Sequence, residues 1–70
     1  MIDFVSVLGN NIELYADDYY VGMSANPEKL AQLILLHGGL APTVYRSSDW
    51  IEHPNCEEFD AVWYKVCKLV

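Results

Sequence analysis

The sequence predicts an α+β domain: a small, mostly antiparallel sheet with one well-marked helix packed on it. Three observations carry this. Residues 2–23 are dense in β-forming side chains broken by turn residues. Residues 26–39 carry the start and stop signals of a helix. Hydrophobic residues fill 53% of the 70 positions, more than a disordered acidic chain holds. A chain of this length makes one domain, spanning residues 1–70. Its core alone contributes no more than about 3–5 kcal/mol, so dimerisation or partner binding can add to its stability. Two Trp, five Tyr and two Phe supply large buried areas for so short a chain.

The elements follow in order. Residues 2–8, with Ile2, Phe4, Val5, Val7 and Leu8, read as a strand, and Gly9-Asn10-Asn11 supplies the positive φ of a tight hairpin. Ile12, Leu14 and Ala16 then alternate with Glu13, Tyr15 and Asp17, the period of a strand with one wet face. This strand is expected over 11–23, with a bend at Asp17-Asp18. Asn26-Pro27-Glu28 is a helix start: a cap, a residue suited to the first helical position, and an acid at the positive end of the dipole. The helix is expected over 27–37 and stops at Gly38-Gly39. Leu35 and Leu36 widen its apolar stripe, which predicts deep burial on the sheet.

Residues 43–46 read as a short strand, and Ser48 to Glu52 as a single helical turn ended by Pro54. The C-terminal segment carries opposing signals. Phe59, Val62, Trp63, Val66 and Val70 fall on one helical face, and Asn55-x-x-Glu58 resembles a capping box. Residues 61–70, however, are dominated by Val, Trp, Tyr and Cys, which favour strands. That composition tips the expectation to a strand over 60–69, with a helix as the alternative.

Charge narrows the function. Ten acidic residues against four basic ones give a formal net charge of −6. Such a surface repels nucleic acid and anionic membrane and attracts basic surfaces. Four dispersed cations cannot supply the six to ten phosphate contacts of a typical nucleic-acid binder. The longest apolar run, Leu33 to Leu36, is far short of a membrane span. The N-terminal residues carry no basic and apolar secretory pattern, and two cysteines are too few for a disulfide scaffold. Reduced thiols and a cytoplasmic location are expected.

Chemistry-bearing motifs are sparse. His37, His53, Cys56 and Cys67 include ligand types that suit zinc, but no C-x-x-C or H-x-x-x-H pair is present, and no metal is expected. Cys56 with His53 and Glu57, or Ser47 and Ser48 with a histidine, would be needed for nucleophilic catalysis. None has a recognisable strand-turn or glycine-rich context, and no enzyme activity or cofactor is expected.

The acids themselves are clustered beside aromatic rings. Asp17 and Asp18 adjoin Tyr19 and Tyr20, Asp49 and Glu52 flank Trp50, and Glu57, Glu58 and Asp60 surround Phe59. Solubility alone accounts for an acidic face, but Tyr and Trp are the residues enriched at binding hot spots. Alternate residues on one strand face lie about 6.6–7 Å apart, so Glu13, Tyr15 and Asp17 would form a row whose carboxylates stand in for phosphates. The expected function is a non-catalytic inhibitor that binds the basic, nucleic-acid-binding surface of a partner protein and blocks it. The expected contacts are Glu13, Asp17, Asp18, Tyr19, Tyr20, Asp49, Trp50, Glu52, Glu57, Glu58 and Asp60. Phage-encoded inhibitors of host defence, anti-CRISPR proteins among them, and immunity proteins against nuclease toxins share this size and charge, though no motif ties the chain to them. The alternatives are a homodimeric or adaptor module and a small zinc-binding module.

Overall fold

The hydrophobic pattern resolves into four strands and three helices, in a computed structural model that describes residues 1–70. The strands are β1 (Ile2–Leu8), β2 (Asn11–Ala16), β3 (Tyr19–Ser24) and β4 (Leu40–Arg46). The helices are α1 (Pro27–Leu36), α2 (Ser48–Glu52) and α3 (Cys56–Leu69). The sheet order is β3-β2-β1-β4, with the first three strands antiparallel and β4 parallel to β1. The α+β class therefore holds, and the sheet is mixed because α1 carries the chain from one edge to the other before β4 begins.

Two tight turns set the antiparallel register. Gly9-Asn10 joins β1 to β2 with positive φ at Gly9 alone, the signature of a type II′ turn. Asp17-Asp18 joins β2 to β3 with positive φ at both positions, as a type I′ turn requires. The expected single strand over 11–23 is thus two strands. Aspartate's short polar side chain tolerates the left-handed backbone well enough to reverse the chain there. Register then fixes the two faces. Val5 opposes Leu14 and Val7 opposes Ile12, all buried; Phe4 opposes Tyr15 and Ser6 opposes Glu13 on the other side.

All three helices contribute to one core on the Val5–Leu14 side of the sheet. Asn26 caps α1, its side chain accepting from the Glu28 and Lys29 backbone N–H groups at 2.8 and 3.3 Å. The helix ends in a Schellman arrangement: Gly39 N–H donates to the Ile34 carbonyl and Gly38 N–H to that of Leu35, both glycines having positive φ. Its buried stripe is Leu30, Ala31 and Ile34, with Leu33 packed against the core beside Gly22. Leu35 and Leu36 are exposed, Leu36 at 79%, contrary to the deep burial expected from the apolar run. The stripe repeats every three to four residues, so the next two positions turn away from the sheet.

The C-terminal segment is a helix, which overturns the strand expected over 60–69. Phe59, Trp63 and Val66, four and three residues apart, are its buried positions and close the core over α1 and α2. β-propensity reflects how well a side chain fits a pleated, half-buried surface, and the packing of one apolar stripe outweighs it here. Glu57 and Glu58 in the first turn and Lys68 in the last complement the helix dipole. The expected capping box is not formed, because Asn55 makes no side-chain cap bond. The strand predicted over 43–46 starts earlier, at Leu40. A step of two residues on β1 faces five on β4, so β4 bulges around Pro42, which an edge strand tolerates.

Candidate functional site

With the helices stacked on one side, the opposite face of the sheet carries no covering element. Register places one aromatic residue from each strand across it. Tyr20 on β3 opposes Tyr15 on β2, Tyr15 opposes Phe4 on β1, and Phe4 is aligned with Tyr45 on β4. Adjacent rings interlock: Phe4–Tyr15 and Tyr15–Tyr20 both meet edge to face with centroids 5.7 Å apart. The inner part of the row is sheltered, while Phe4, Tyr20 and Tyr45 are 37%, 54% and 65% exposed. A second row, Met23–Glu13–Ser6, lies beside it. A β-bulge between Leu14 and Tyr15 makes this possible, since it lets both Val21 and Gly22 face the helices while Tyr20 and Met23 face outward.

Glu13 is therefore a half-buried carboxylate on the open face, in the company the strand alternation predicts. The Tyr15 hydroxyl is held above its ordinary pKa of 10.0, first by burial and then by the Glu13 carboxylate and neighbouring Tyr20. No lysine or arginine occupies the register positions of either row.

The remaining expected contacts are scattered. Asp17 and Asp18 are exposed at the β2–β3 turn, and Tyr19 beside them is exposed but pairs with Ala16, whose side chain packs against the core. Glu58 lies at the other end of the sheet, lining a cavity with Asn10 of the β1–β2 turn and Ala25 beyond β3. The length of β2 separates Glu58 from the Asp17-Asp18 turn by roughly 17 Å. Asp49, Glu52 and Glu57 are exposed on the helical side. The continuous row of Glu13, Tyr15 and Asp17 is broken, because Asp17 leaves the strand for the turn.

Two expected contacts are tied to each other, Trp50 in the core and Asp60 at its edge. Trp50 is fully buried, packing on Phe59 and Trp63 with centroids 5.8 and 6.0 Å away. Its indole N–H donates to Asp60 Oδ1 at 2.9 Å. The same oxygen takes Arg46 Nη1 at 2.6 Å. Asp60 thus ties α2, α3 and β4 together; the Trp50 ring is buried, while the Asp60 carboxylate stays 43% exposed within its pair with Arg46. A tryptophan between two acids reads as a hot spot in sequence, but its burial is set by the tertiary fold.

Nucleophile and metal candidates do not assemble. The Cys56 thiol is pushed above its ordinary pKa by burial and by Asp60, whose Oδ2 lies 3.8 Å from Sγ; an activated nucleophile needs the opposite shift. His53 accepts from the Asn55 backbone N–H through Nδ1 at 3.0 Å and packs on Phe59. His37 closes α1 and Cys67 is exposed near the end of α3, and no three metal-ligating side chains converge. The most enclosed cavity, beside Asn10 and Glu58, is about 200 Å³, and two shallower grooves of about 300 and 440 Å³ lie along α1, beside Met23 and Leu33 and beside Pro27 and Lys65. No helix is long and apolar enough to cross a membrane.

Phe4, Tyr15 and Tyr45 belong to the aromatic row but are absent from the contacts expected from the sequence. Alternation within each strand marks Tyr15 as outward-facing, but the alignment of Phe4 with Tyr45 depends on a parallel pairing across 41 positions that no local pattern reveals. Comparison with protein-family models, with curated proteins and with solved structures finds no match.

Proposed function

We propose that this protein is a non-catalytic binding module that docks its open sheet face on the basic surface of a partner protein and blocks it. One observation carries the reading: an aromatic row spans all four strands on an uncovered face, beside a carboxylate and without a single cation. Rings on single-stranded nucleic-acid platforms work beside a positively charged groove, and this face has the reverse polarity. The aromatic residues supply buried area and residence time, while the net charge of −6 steers a basic partner toward the molecule.

The partner fitting this chemistry best is a nucleic-acid-binding protein, whose basic site is built to accept negative charge. Competition is then steric and electrostatic. The separation of the acids argues for aromatic docking with charge steering rather than for a carboxylate ladder copying phosphates. Phage anti-defence inhibitors and nuclease immunity proteins remain the classes with this size and charge. A reducing, cytoplasmic setting accords with the unpaired Cys56 and Cys67.

The test is competition with nucleic acid. The immobilised chain should retain a nucleic-acid-binding protein at about 50 mM salt and release it near 0.5 M, and the free chain should displace nucleic acid from that protein. Retention that ignores salt, or a ternary complex with nucleic acid still bound, would discard the blocking reading.

A further inference from the structure

Glu13 stands out among the carboxylates because it lies within the aromatic face rather than at its rim. It precedes Tyr15 by two residues on the same side of β2, a Cα separation of about 7 Å. Its cross-strand neighbours are Ser6 and Met23, and neither neutralises it. The one ion pair of the protein, Arg46 with Asp60, is elsewhere. Glu13 is thus a half-buried acid without a cation, on the same sheet face as the Tyr15 and Tyr20 rings and close enough to the Tyr15 hydroxyl to raise its pKa.

Such a site distinguishes the two basic side chains. A guanidinium is planar and weakly hydrated, so it can lie on a ring while its N–H groups engage a carboxylate. An ammonium is a strongly hydrated point charge that loses more on leaving water and has no plane to stack. The molecule already contains the arrangement on its helical side. Arg46 pairs with Asp60 at 2.6 Å while its guanidinium carbon lies 5.8 Å from the centroid of Trp50. Tyr15, Tyr20 and Glu13 bring rings and a carboxylate together on the open face, Tyr20 exposed and the other two half-buried.

We propose that the open face recognises arginine side chains on the basic partner in preference to lysine, the guanidinium lying on the Tyr15–Tyr20 rings and pairing with Glu13. This rests on the reading of the open face as the docking surface for a basic protein. Charge complementarity selects that occupant: a second copy of the chain would bring another −6 and no cation on the matching rows.

The experiment titrates hexa-arginine and hexa-lysine, peptides of equal charge, into the 70-residue chain at low salt. Arginine should bind about tenfold more tightly, the size of a partly desolvated cation–π contact. Glu13→Gln and Tyr20→Leu should each bring the ratio of affinities toward one while leaving salt-dependent binding of both peptides. Tyr64→Leu, at an exposed position on α3, should leave the ratio unchanged. Circular dichroism verifies that each variant is folded, and Glu13→Gln tests the site should Tyr20→Leu fail to fold. Equal affinities in the unaltered chain would overturn arginine selectivity and leave the docking reading standing. Failure of both peptides to bind would overturn both readings. Sedimentation showing a dimer that protects Tyr20 would assign the face to a second copy and overturn the proposal.

Discussion

Asp17 and Asp18 hold consecutive left-handed backbones, with φ of 50° and 67°, where a β-carbon is crowded. Asn-Gly is the pair best suited to a type I′ turn, so Asp17→Asn with Asp18→Gly should raise stability by about 1 kcal/mol in urea unfolding. Asp17→Lys with Asp18→Lys should lower it, since lysine lacks the local hydrogen bonding that lets aspartate sit there. Exposure was readable from the acidic pair, whereas the backbone strain required the turn geometry. Asp60 shows the same division. Its charge is visible in sequence, but its partners, Trp50 and Arg46, come from other elements. Trp50→Phe removes the indole donor and leaves unfilled space in the core, and should cost about 2–4 kcal/mol by denaturant midpoint. Cys56 makes a pH prediction. The folded state holds the thiol proton more tightly than the unfolded chain, so the associated stability is intact below the ordinary value of 9.0 and lost as pH rises through the folded value. Thiol alkylation at pH 8 in a Cys67→Ser background should accordingly be slower than for a free cysteine, and unfolding with denaturant should restore the rate.

Helix ends test how far local sequence reaches. Asn26 and Asn55 each precede a helix and look equivalent as written. Asn26 accepts two backbone N–H groups, while Asn55, with φ −100° and ψ 25°, makes no side-chain cap bond. Asn26→Ala should therefore cost about 1 kcal/mol and Asn55→Ala less than about 0.5 kcal/mol, compared by thermal unfolding. The first helix was legible because its cap, proline and double glycine all agree with one another. The third was not, because its strand-favouring residues conflict with its apolar period, and only the core formed by Phe59, Trp63 and Val66 decides between them. The parallel placement of β4 is likewise a property of the sheet as a whole. Local signals announce a strand near 43–46, but which strand it pairs with depends on where α1 delivers the chain.

At the scale of the molecule, charge and rings are distributed differently, and that separates their roles. The rings gather into one row because register aligns the strands; the acids divide between the Asp17-Asp18 turn, the helical side, Glu13 on β2 and Asp3 on β1. Composition made the charge legible, and no amount of it could reveal that the acids fail to form one patch. A steering field sums over the whole surface and is weakly sensitive to where each charge sits, provided it lies within about 10 Å of the path of approach at 0.1 M salt. Contacts that hold the complex are local. Removing two carboxylates by Asp17→Asn with Asp18→Gly, or by Glu57→Gln with Glu58→Gln, takes the formal charge from −6 to −4 in either case. With an identified partner, both double variants should slow association by similar factors of about two to five at low salt, and the difference should vanish at high salt. Tyr20→Leu should leave association nearly unchanged and raise the dissociation rate about tenfold or more. Surface plasmon resonance resolves the two rates. A large rise in dissociation from either acid pair would move the docking contacts from the open sheet face to that end of the molecule, and would restore the carboxylates as contacts rather than a guiding field.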